Sequence, residues 1–416
     1  MLLSVKFSGF FAFIAVMLMP FSSQALGVLT HEAIVDAAWN SSILPLLKQR
    51  YPAATEEDIK LSHAYAYGGA VAPDMGYYPS GSKLFTNLVH YVRSGEMVNA
   101  LIRNADNLNQ FAFALGFLSH YNADNYGHSL ATNISVPLLY PKMLSKYGEN
   151  VTYADDKLSH TRMELGFDVL QVAKGNFASQ SYRDYIGFKV DTTVLSKAFK
   201  EVYGLDINDI HDQHFFRSVE IFRWVVANVF PLITRQAWAT KKKAILEQDS
   251  TATAQRFNFK MRQKVYDKNF GTGYKRPGFL PTLFSFLIRV LPKVGPLRPL
   301  KFKVPTVAVE KKFAQSFDTI MHHYTMDLKK ISGNGQEKKD IDFDTGKPTA
   351  LCEYTLADET YADLLFALKA NNFNQMPFSL KENIETFYKG SKNFSGGKHC
   401  IAFWTALSEL RGLPGK

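Results

Sequence analysis

Three side chains that bind divalent metal ions follow one another at intervals of four residues in the first third of the chain. His120, Asp124 and His128 lie in the sequence Phe-Leu-Ser-His-Tyr-Asn-Ala-Asp-Asn-Tyr-Gly-His, residues 117–128. If residues 112–131 form a helix, all three project from one stripe, because each step of four residues turns only about 40° around the axis. Neutral imidazole and carboxylate groups bind zinc, and three of them on one face can serve more than one ion. Ordinary solvated or hydrogen-bonded side chains are the alternative.

A second pair of such side chains follows about thirty residues later. His160 and Glu164 are one helical turn apart, which suits a two-ligand metal clamp and equally an ordinary helix-surface pair. Asp74 follows Pro73 in a predicted turn, where an aspartate is either a turn residue or a positioned ligand. His90 lies among apolar residues at a predicted helix start, where a buried, hydrogen-bonded core histidine is the simpler interpretation.

Three further histidines, His31, His211 and His214, could also be metal ligands. His31 follows Thr30, which is predicted to be the N-cap of a helix, and is either a ligand or a polar first-turn residue. Six of the eleven histidines lie between residues 26 and 165, and this clustering favours a polynuclear metal site. His211 and His214 have no carboxylate at a helical offset, so we predict structural roles for them.

The composition is that of a globular protein. The chain has 416 residues, 46% of them hydrophobic and 14% aromatic, which is enough to bury a large core and to form two domains. These values exclude a disordered or fibrous chain. A formal net charge of +10 fits an anionic partner such as phosphate, nucleic acid or an acidic membrane surface, and charge alone does not select among them.

Residues 1–25 have the features of a secretory signal peptide. Lys6 precedes an apolar run over residues 7–18, Pro20 interrupts it, and the small residues Ser-Gln-Ala end at Ala25. An uncleaved membrane anchor is the alternative, although the run is short for a span and lacks a charged stop. Cleavage after Ala25 would make Leu26 the first residue of an extracellular or periplasmic protein. An oxidising compartment would favour pairing of Cys352 with Cys400, the two cysteines of the chain.

The patterns predict a mainly α-helical fold, with a helical domain over residues 26–248 and a smaller C-terminal domain of mixed structure over residues 249–416. Residues 208–247 carry an apolar stripe typical of a core helix, and the basic triplet at 241–243 marks the predicted end of the first domain. Residues 278–305 form an apolar run flanked by cations, which fits either interdomain packing or a membrane interface. Helices are predicted at 307–330 and 361–370, and a short strand at 350–356.

Five of these features occur in the same order as in one family of metalloenzymes. Thr-His near the expected mature start, the Pro-Asp turn, the His before Tyr, His-x3-Asp-x3-His and His-x3-Glu together resemble the zinc-dependent phospholipase C and single-strand nuclease superfamily. The resemblance covers residues 26–167 and is closest to the secreted bacterial zinc phospholipases C. It implies a mainly α-helical domain that holds three zinc ions.

The resemblance also implies which residues bind each ion. One zinc would be bound by Asp74, His90, His120 and Asp124, and a second by His128, His160 and Glu164. Asp124 would bridge the first ion and a third, which would also be held by His31 and by the α-amino nitrogen and carbonyl oxygen of Leu26. The family usually has Trp at this first position, so the packing around the third ion is expected to differ. Asp74 resembles the residue proposed as general base, with a bridging hydroxide as the alternative nucleophile.

The substrate expectation depends on secondary features. Glu164 matches the phospholipases, where the nucleases typically have Asp, and the cation-flanked apolar segment suits a lipid interface. We therefore expect hydrolysis of a glycerophospholipid, with phosphatidylcholine first, to diacylglycerol and a phosphorylated headgroup. A zinc-dependent single-strand nuclease is the alternative, and a non-catalytic zinc-binding surface protein is the third hypothesis. The expected partner is a phospholipid membrane surface, with no nucleic acid, no obligate protein partner and a monomeric state.

Overall fold

The structure is a computed structural model that describes residues 27–177, 186–228, 230–257, 295–332, 337–389 and 400–413. The predicted signal peptide, Leu26 and most of the cation-flanked segment at 278–305 lie outside these residues. Among the described residues, none of the helices combines the length and the apolar character that crossing a membrane requires.

The described part of the chain is mainly α-helical, as predicted. The helices up to residue 147 are α1 Val28–Ala38, α2 Leu44–Arg50, α3 Glu56–Val71, α4 Lys83–Tyr91, α5 Ser94–Arg103, α6 Leu108–Gly127, α7 Asn133–Leu139 and α8 Pro141–Tyr147. Those that follow are α9 Lys157–Lys174, α10 Thr192–Tyr203, α11 Phe215–Asn228, α12 Phe230–Gln248, α13 Ala254–Phe257, α14 Val307–Ser332, α15 Thr355–Ala370, α16 Phe378–Phe387 and α17 Cys400–Gly412. Short 3-10 helices cover Ala72–Tyr77, Asp209–His211 and Gly295–Lys301, and single π turns cover Trp39–Ile43 and His128–Thr132.

Local sequence explains where the helices around the centre begin and end. Thr55 and Asp58 form a reciprocal capping box at the start of α3. The side chains of Asn107 and Asp156 accept hydrogen bonds from the first-turn amides of α6 and α9. Helix α9 ends at Gly175, whose positive φ of 80° suits a residue without a side chain.

Helix α6 is the centre of the fold. Its residues 110–125 are all buried, so it has no solvent-exposed face over four turns. Its most extensive contact is with α3, and α14 also packs against it, with the Tyr324 hydroxyl donating to the carbonyl oxygen of Leu115. The helix that carries three of the predicted metal ligands is thereby packed on several sides.

Packing continues across the predicted domain boundary at residue 248. The buried apolar side chains of the described residues form one cluster that includes Phe313 and Tyr324 of α14 as well as the helices before residue 248. Helix α15 packs against α4. The division into two domains stays a prediction.

Three local predictions were wrong. Thr30 is not an N-cap, because α1 begins at Val28 with Gly27 in the capping position. His90 lies at the end of α4, not at a helix start. Residues 350–354 form a turn before α15, and the only strands in the described part of the chain are Ile341–Asp342 and Lys347–Pro348, an antiparallel pair.

The predicted disulfide between Cys352 and Cys400 involves one side chain that the structure does not describe. Cys352 is exposed and forms no disulfide with any described residue, and the side chain of Cys400 is not among those described.

Candidate metal centre

Close packing of two helices fixes the orientation of His120. A side chain at Gly69 of α3 would meet the carbonyl oxygen of Phe113 at 1.9 Å, and one at Gly116 of α6 would meet that of Ala66 at 2.0 Å, so these helices touch through glycines. The short separation brings the Ala70 carbonyl oxygen within 2.9 Å of His120 Nδ1. A carbonyl oxygen only accepts, so Nδ1 carries the hydrogen and a neutral imidazole has its lone pair on Nε2.

His90 is oriented in the same way. Its Nδ1 donates to the carbonyl oxygen of Thr86, one turn earlier in α4, at 2.8 Å. The Thr86 hydroxyl donates to the Pro73 carbonyl oxygen and accepts from the Gly76 amide, both at 2.7 Å. Helix α4 and the 3-10 helix Ala72–Tyr77 are therefore locked together, which places Asp74 next to His90.

These constraints bring four potential ligands to one point. The Nε2 atoms of His90 and His120 lie 3.3 Å apart, and Asp124 Oδ2 lies 3.4 Å and 3.1 Å from them. Asp74 Oδ1 is 3.4 Å from His90 Nε2. Two imidazole lone pairs that face each other at this distance repel unless a cation lies between them. Asp74, His90, His120 and Asp124 form a buried group whose ligand atoms all lie within 4.8 Å of one another.

A second group forms where α6 passes into α7 through the π turn His128–Thr132. His128 Nε2 lies 3.6 Å from Glu164 Oε1, and His160 Nδ1 lies 3.0 Å from the same oxygen. The His160 Nε2 atom donates to the side-chain oxygen of Asn133 at 3.0 Å, so the Nδ1 lone pair faces the Glu164 carboxylate. An ionised Glu164 and the His160 lone pair are both acceptors, and a cation between them would stabilise this arrangement. Like the first group, His128, His160 and Glu164 lie within 4.8 Å of one another and are buried.

Asp124 lies between the two groups and also reaches His31. Its Oδ1 is 3.4 Å from His31 Nε2 and 3.9 Å from His128 Nε2, while its Oδ2 faces His90 and His120. The His31 ring stacks on His120 with a centroid distance of 4.4 Å. Each carboxylate oxygen of Asp124 therefore faces a different set of imidazoles, as a bridging ligand requires. Leu26, the other predicted partner of His31, is outside the described residues.

The electrostatics of the protein groups at the centre favour cation binding. Burial, and then the positive charge of His128, lowers the pKa of His160 to about 3, which keeps this imidazole neutral. Burial, and then the charges of Asp124 and Asp74, raises the pKa of Glu164 well above its usual value. The Glu164 carboxylate is thus unfavourable in this environment until a cation compensates its charge.

The atoms left without hydrogen bonds show that the residues fit a metal centre. Among the described residues, no hydrogen-bond partner is found for either ring nitrogen of His31, either oxygen of Asp74, Asp124 or Glu164, His128 Nε2 or His160 Nδ1. Buried polar atoms are normally paired. Here the unpaired atoms belong to the two ligand groups and to His31. They are imidazole nitrogens and carboxylate oxygens, which are the ligand atoms that bind zinc.

Other histidines lie outside this centre. His63 contacts Asp36 at 3.0 Å and stacks on Trp39, and it joins neither ligand group. His211 Nδ1 donates to the Ile207 carbonyl oxygen, in keeping with the structural role predicted for it.

Two carboxylates next to the centre were missed by the sequence interpretation. Asp344 belongs to neither ligand group but accepts a hydrogen bond from His128. Nothing in the sequence around Asp344 indicates this contact. Asp168 lies four residues after Glu164, so the helical spacing that linked His160 to Glu164 would also have found it.

Asp168 attaches the start of α1 to α9. Its carboxylate accepts hydrogen bonds from the amides of Leu29 and Thr30, both at 3.1 Å, and from the Thr30 hydroxyl at 2.7 Å. A Cβ at Gly27 would lie 2.1 Å from Asp168 Oδ2, so glycine is required where the chain passes this carboxylate. Asp168 therefore caps α1 from another helix and fixes the position of His31 in its first turn.

With His31 as a zinc ligand, as the family resemblance implies, we expect Asp168→Asn to weaken zinc binding there more than it weakens the fold. An amide cannot accept from all three donors, so α1 would lose its fixed position. The expected result is loss of one zinc ion per chain, measured by elemental analysis, with a stability loss of about 1–2 kcal/mol. Asp58→Asn is the matched control, since Asp58 also binds the start of a helix but is exposed and lies at the opposite end of α3 from Ala70, which contacts His120. Equal zinc content in both variants would contradict this role.

Comparison with known families agrees with the geometry. Residues 30–212 match the family model for zinc dependent phospholipase C. This part of the chain is similar to the zinc-dependent phospholipase C family. Both ligand groups and His31 lie within the matched residues, whereas Asp344 lies outside them. No curated protein and no solved structure matches the chain.

Proposed function

We propose that the protein is a secreted phospholipase C that hydrolyses glycerophospholipids, phosphatidylcholine among them, to diacylglycerol and a phosphorylated headgroup. The family match supports a zinc-dependent hydrolase of this general class. The observation that carries the proposal is the set of buried imidazole lone pairs and carboxylates that face one another without partners. The signal peptide predicted at residues 1–25 supports an extracellular or periplasmic location.

In this proposal the ligands divide among three zinc ions. The first ion would be held by Asp74, His90, His120 and Asp124, the second by His128, His160 and Glu164, and the third by Asp124, His31 and the amino nitrogen and carbonyl oxygen of Leu26. Zinc held there would polarise a phosphodiester and lower the pKa of a bound water.

Hydrogen bonds within the protein hold the predicted ligands and the candidate general base in fixed orientations. The hydrogen bonds of Thr86 hold Asp74 and His90 in place, and those of Ala70 and Asn133 fix the rings of His120 and His160. Asp74 has no hydrogen-bond partner among the described residues, so its carboxylate is free to accept a proton. Burial raises the pKa of Asp74, which moves it toward the range of a general base at neutral pH.

The substrate assignment is tested with the mature protein, residues 26–416, and phosphatidylcholine vesicles. We expect chelator-sensitive release of diacylglycerol and phosphocholine in equal amounts, with activity restored by added zinc. Release of free choline with phosphatidic acid would contradict cleavage on the glycerol side of the phosphate.

The same preparation distinguishes the other hypotheses. Zinc-dependent release of nucleotides from single-stranded DNA or RNA, without lipid hydrolysis, would identify the nuclease alternative. Bound zinc without turnover of either substrate would identify a non-catalytic zinc protein.

A further inference from the structure

One carboxylate from the C-terminal part of the chain contacts the second ligand group. Asp344 lies in the turn between the strands Ile341–Asp342 and Lys347–Pro348, and it is 1% exposed. Its Oδ1 accepts a hydrogen bond from His128 Nδ1 at 2.7 Å, across 216 positions of sequence. Because Nδ1 donates to this carboxylate, the Nε2 lone pair of His128 faces Glu164 and Asp124.

The main chain of the same residue reaches the other imidazole of the group. The Asp344 carbonyl oxygen accepts from the side-chain nitrogen of Asn133 at 2.7 Å. The oxygen of that amide accepts from His160 Nε2. Asp344 therefore orients His128 directly and His160 through Asn133, so that both free nitrogens point at the Glu164 carboxylate.

Asp344 is itself held firmly. Its Oδ2 accepts from the hydroxyl of Tyr91 at 3.0 Å and from the hydroxyl of Tyr354, which lie on α4 and directly before α15. Its amide donates to Asp342 Oδ1 at 2.8 Å. A carboxylate with this many donors has one conformation, which is what a group that orients a metal ligand requires.

The adjacent residue anchors the turn on the first ligand group. The Phe343 amide donates to the carbonyl oxygen of His90 at 3.2 Å, and its buried ring lies 5.2 Å from the His90 ring and 5.9 Å from that of His120. The turn thus contacts histidines of both groups. It lies more than one hundred residues beyond the segment that matches the family.

We propose that Asp344 is a positioning residue of the second zinc site, so that the C-terminal part of the chain completes the metal centre. The proposal rests on the proposed zinc centre but not on its substrate. A carboxylate that accepts from the far nitrogen of a ligating imidazole fixes its ring and raises its basicity toward the metal. The segment matching the family would then bind its full zinc complement only when residues 341–348 are present.

The test measures zinc affinity ion by ion in the mature full-length protein, by competition between Zn²⁺ and a chromophoric chelator. In Asp344→Ala the affinity of one of three ions is expected to fall by roughly 10–100-fold, while the other two bind as in the wild type. Asp344→Asn keeps an oxygen that can accept from His128 but loses the charge, so its expected loss is nearer to about tenfold.

Asp327→Asn is the matched control. Asp327 is also a buried carboxylate of the C-terminal part, and it accepts from Asn122 of α6 and from Lys338 without contacting a ligand. It is expected to lower the melting temperature and leave all three zinc affinities unchanged. If Asp344→Ala does not fold, Asp344→Asn decides.

Wild-type affinity for all three ions in the folded Asp344 variant would overturn the proposal, as would an equal loss at all three ions, which indicates a general structural role. Zinc-loaded wild-type protein without phospholipid turnover would instead refute the proposed function, while the affinities would still decide the role of Asp344.

Discussion

Asp124→Asn is expected to lower phospholipid hydrolysis by about 10³-fold and to remove at least one of three zinc ions per chain. The two oxygens of Asp124 face different imidazoles, with Oδ1 toward His31 and His128 and Oδ2 toward His90 and His120. Asparagine keeps one oxygen and presents an NH₂ group to the other set, and an amide nitrogen does not bind zinc. Loss of the charge stabilisation that a metal provides is worth about 4 kcal/mol, or roughly three powers of ten in rate.

The measurement combines elemental analysis of zinc with the rate of phosphocholine release. Asp36→Asn serves as the control, because Asp36 also contacts a histidine, His63, but belongs to neither ligand group. Asp36→Asn should retain the wild-type zinc content. An Asp124→Asn protein that holds three ions and keeps activity within tenfold of wild type would show that Asp124 does not bridge.

The shared face of His120, Asp124 and His128 on α6 could be predicted from the sequence, because helical periodicity alone determines it. Residues four apart on a regular helix share a face whatever surrounds them, so His120, Asp124 and His128 lie together, as do His160 and Glu164. The structure begins and ends the helix at slightly different residues, and the last histidine opens a π turn. Neither difference moves these side chains apart.

Contacts between distant segments could not be derived in this way. The approach of Asp74 and His90 to His120 depends on glycine contacts between α3 and α6 and on the hydrogen bonds of Thr86. Only the family resemblance brought these residues together beforehand. Asp344 had no such support, because its turn lies outside the resemblance and carries no helical period.

Thr30 shows how a local rule fails when a distant residue intervenes. Threonine favours N-cap positions, and the sequence rule therefore placed the helix start there. In the structure Asp168 of α9 accepts from the first-turn amides, so α1 begins three residues earlier than predicted and the Thr30 hydroxyl becomes a donor to this carboxylate. Capping by a side chain 138 positions away is not visible in a local pattern.

Removal of zinc is expected to lower the melting temperature of the wild-type protein on the order of 10 °C at pH 7. Each ion bound with free zinc at about 1,000 times its dissociation constant stabilises the fold by about 4 kcal/mol. The three ions of the proposed centre would together contribute about 12 kcal/mol, which for a chain of this size corresponds to roughly that shift. Without the ions, the unpaired carboxylates and imidazoles of both groups remain buried together.

The difference between zinc-loaded protein and apoprotein is expected to widen from pH 7 to pH 9. Burial alone would lower the pKa of His90, but the carboxylates of Asp124 and Asp74 raise it to about 10. In this range the folded apoprotein keeps protons that the unfolded chain has released, so its stability falls as pH rises. His160, whose pKa is lowered to about 3, affects stability only below about pH 6.5, the usual histidine value.

Zinc removes this dependence because its ligands are already deprotonated when it is bound. Melting curves at pH 7, 8 and 9, with excess zinc or with chelator, measure the difference directly. Apoprotein of the His90→Gln variant should show a weaker fall in stability with pH than the wild type, since the imidazole whose pKa is raised to about 10 is gone. A difference that stays constant or narrows toward pH 9 would mean that cations other than zinc, or protons alone, compensate the buried carboxylates.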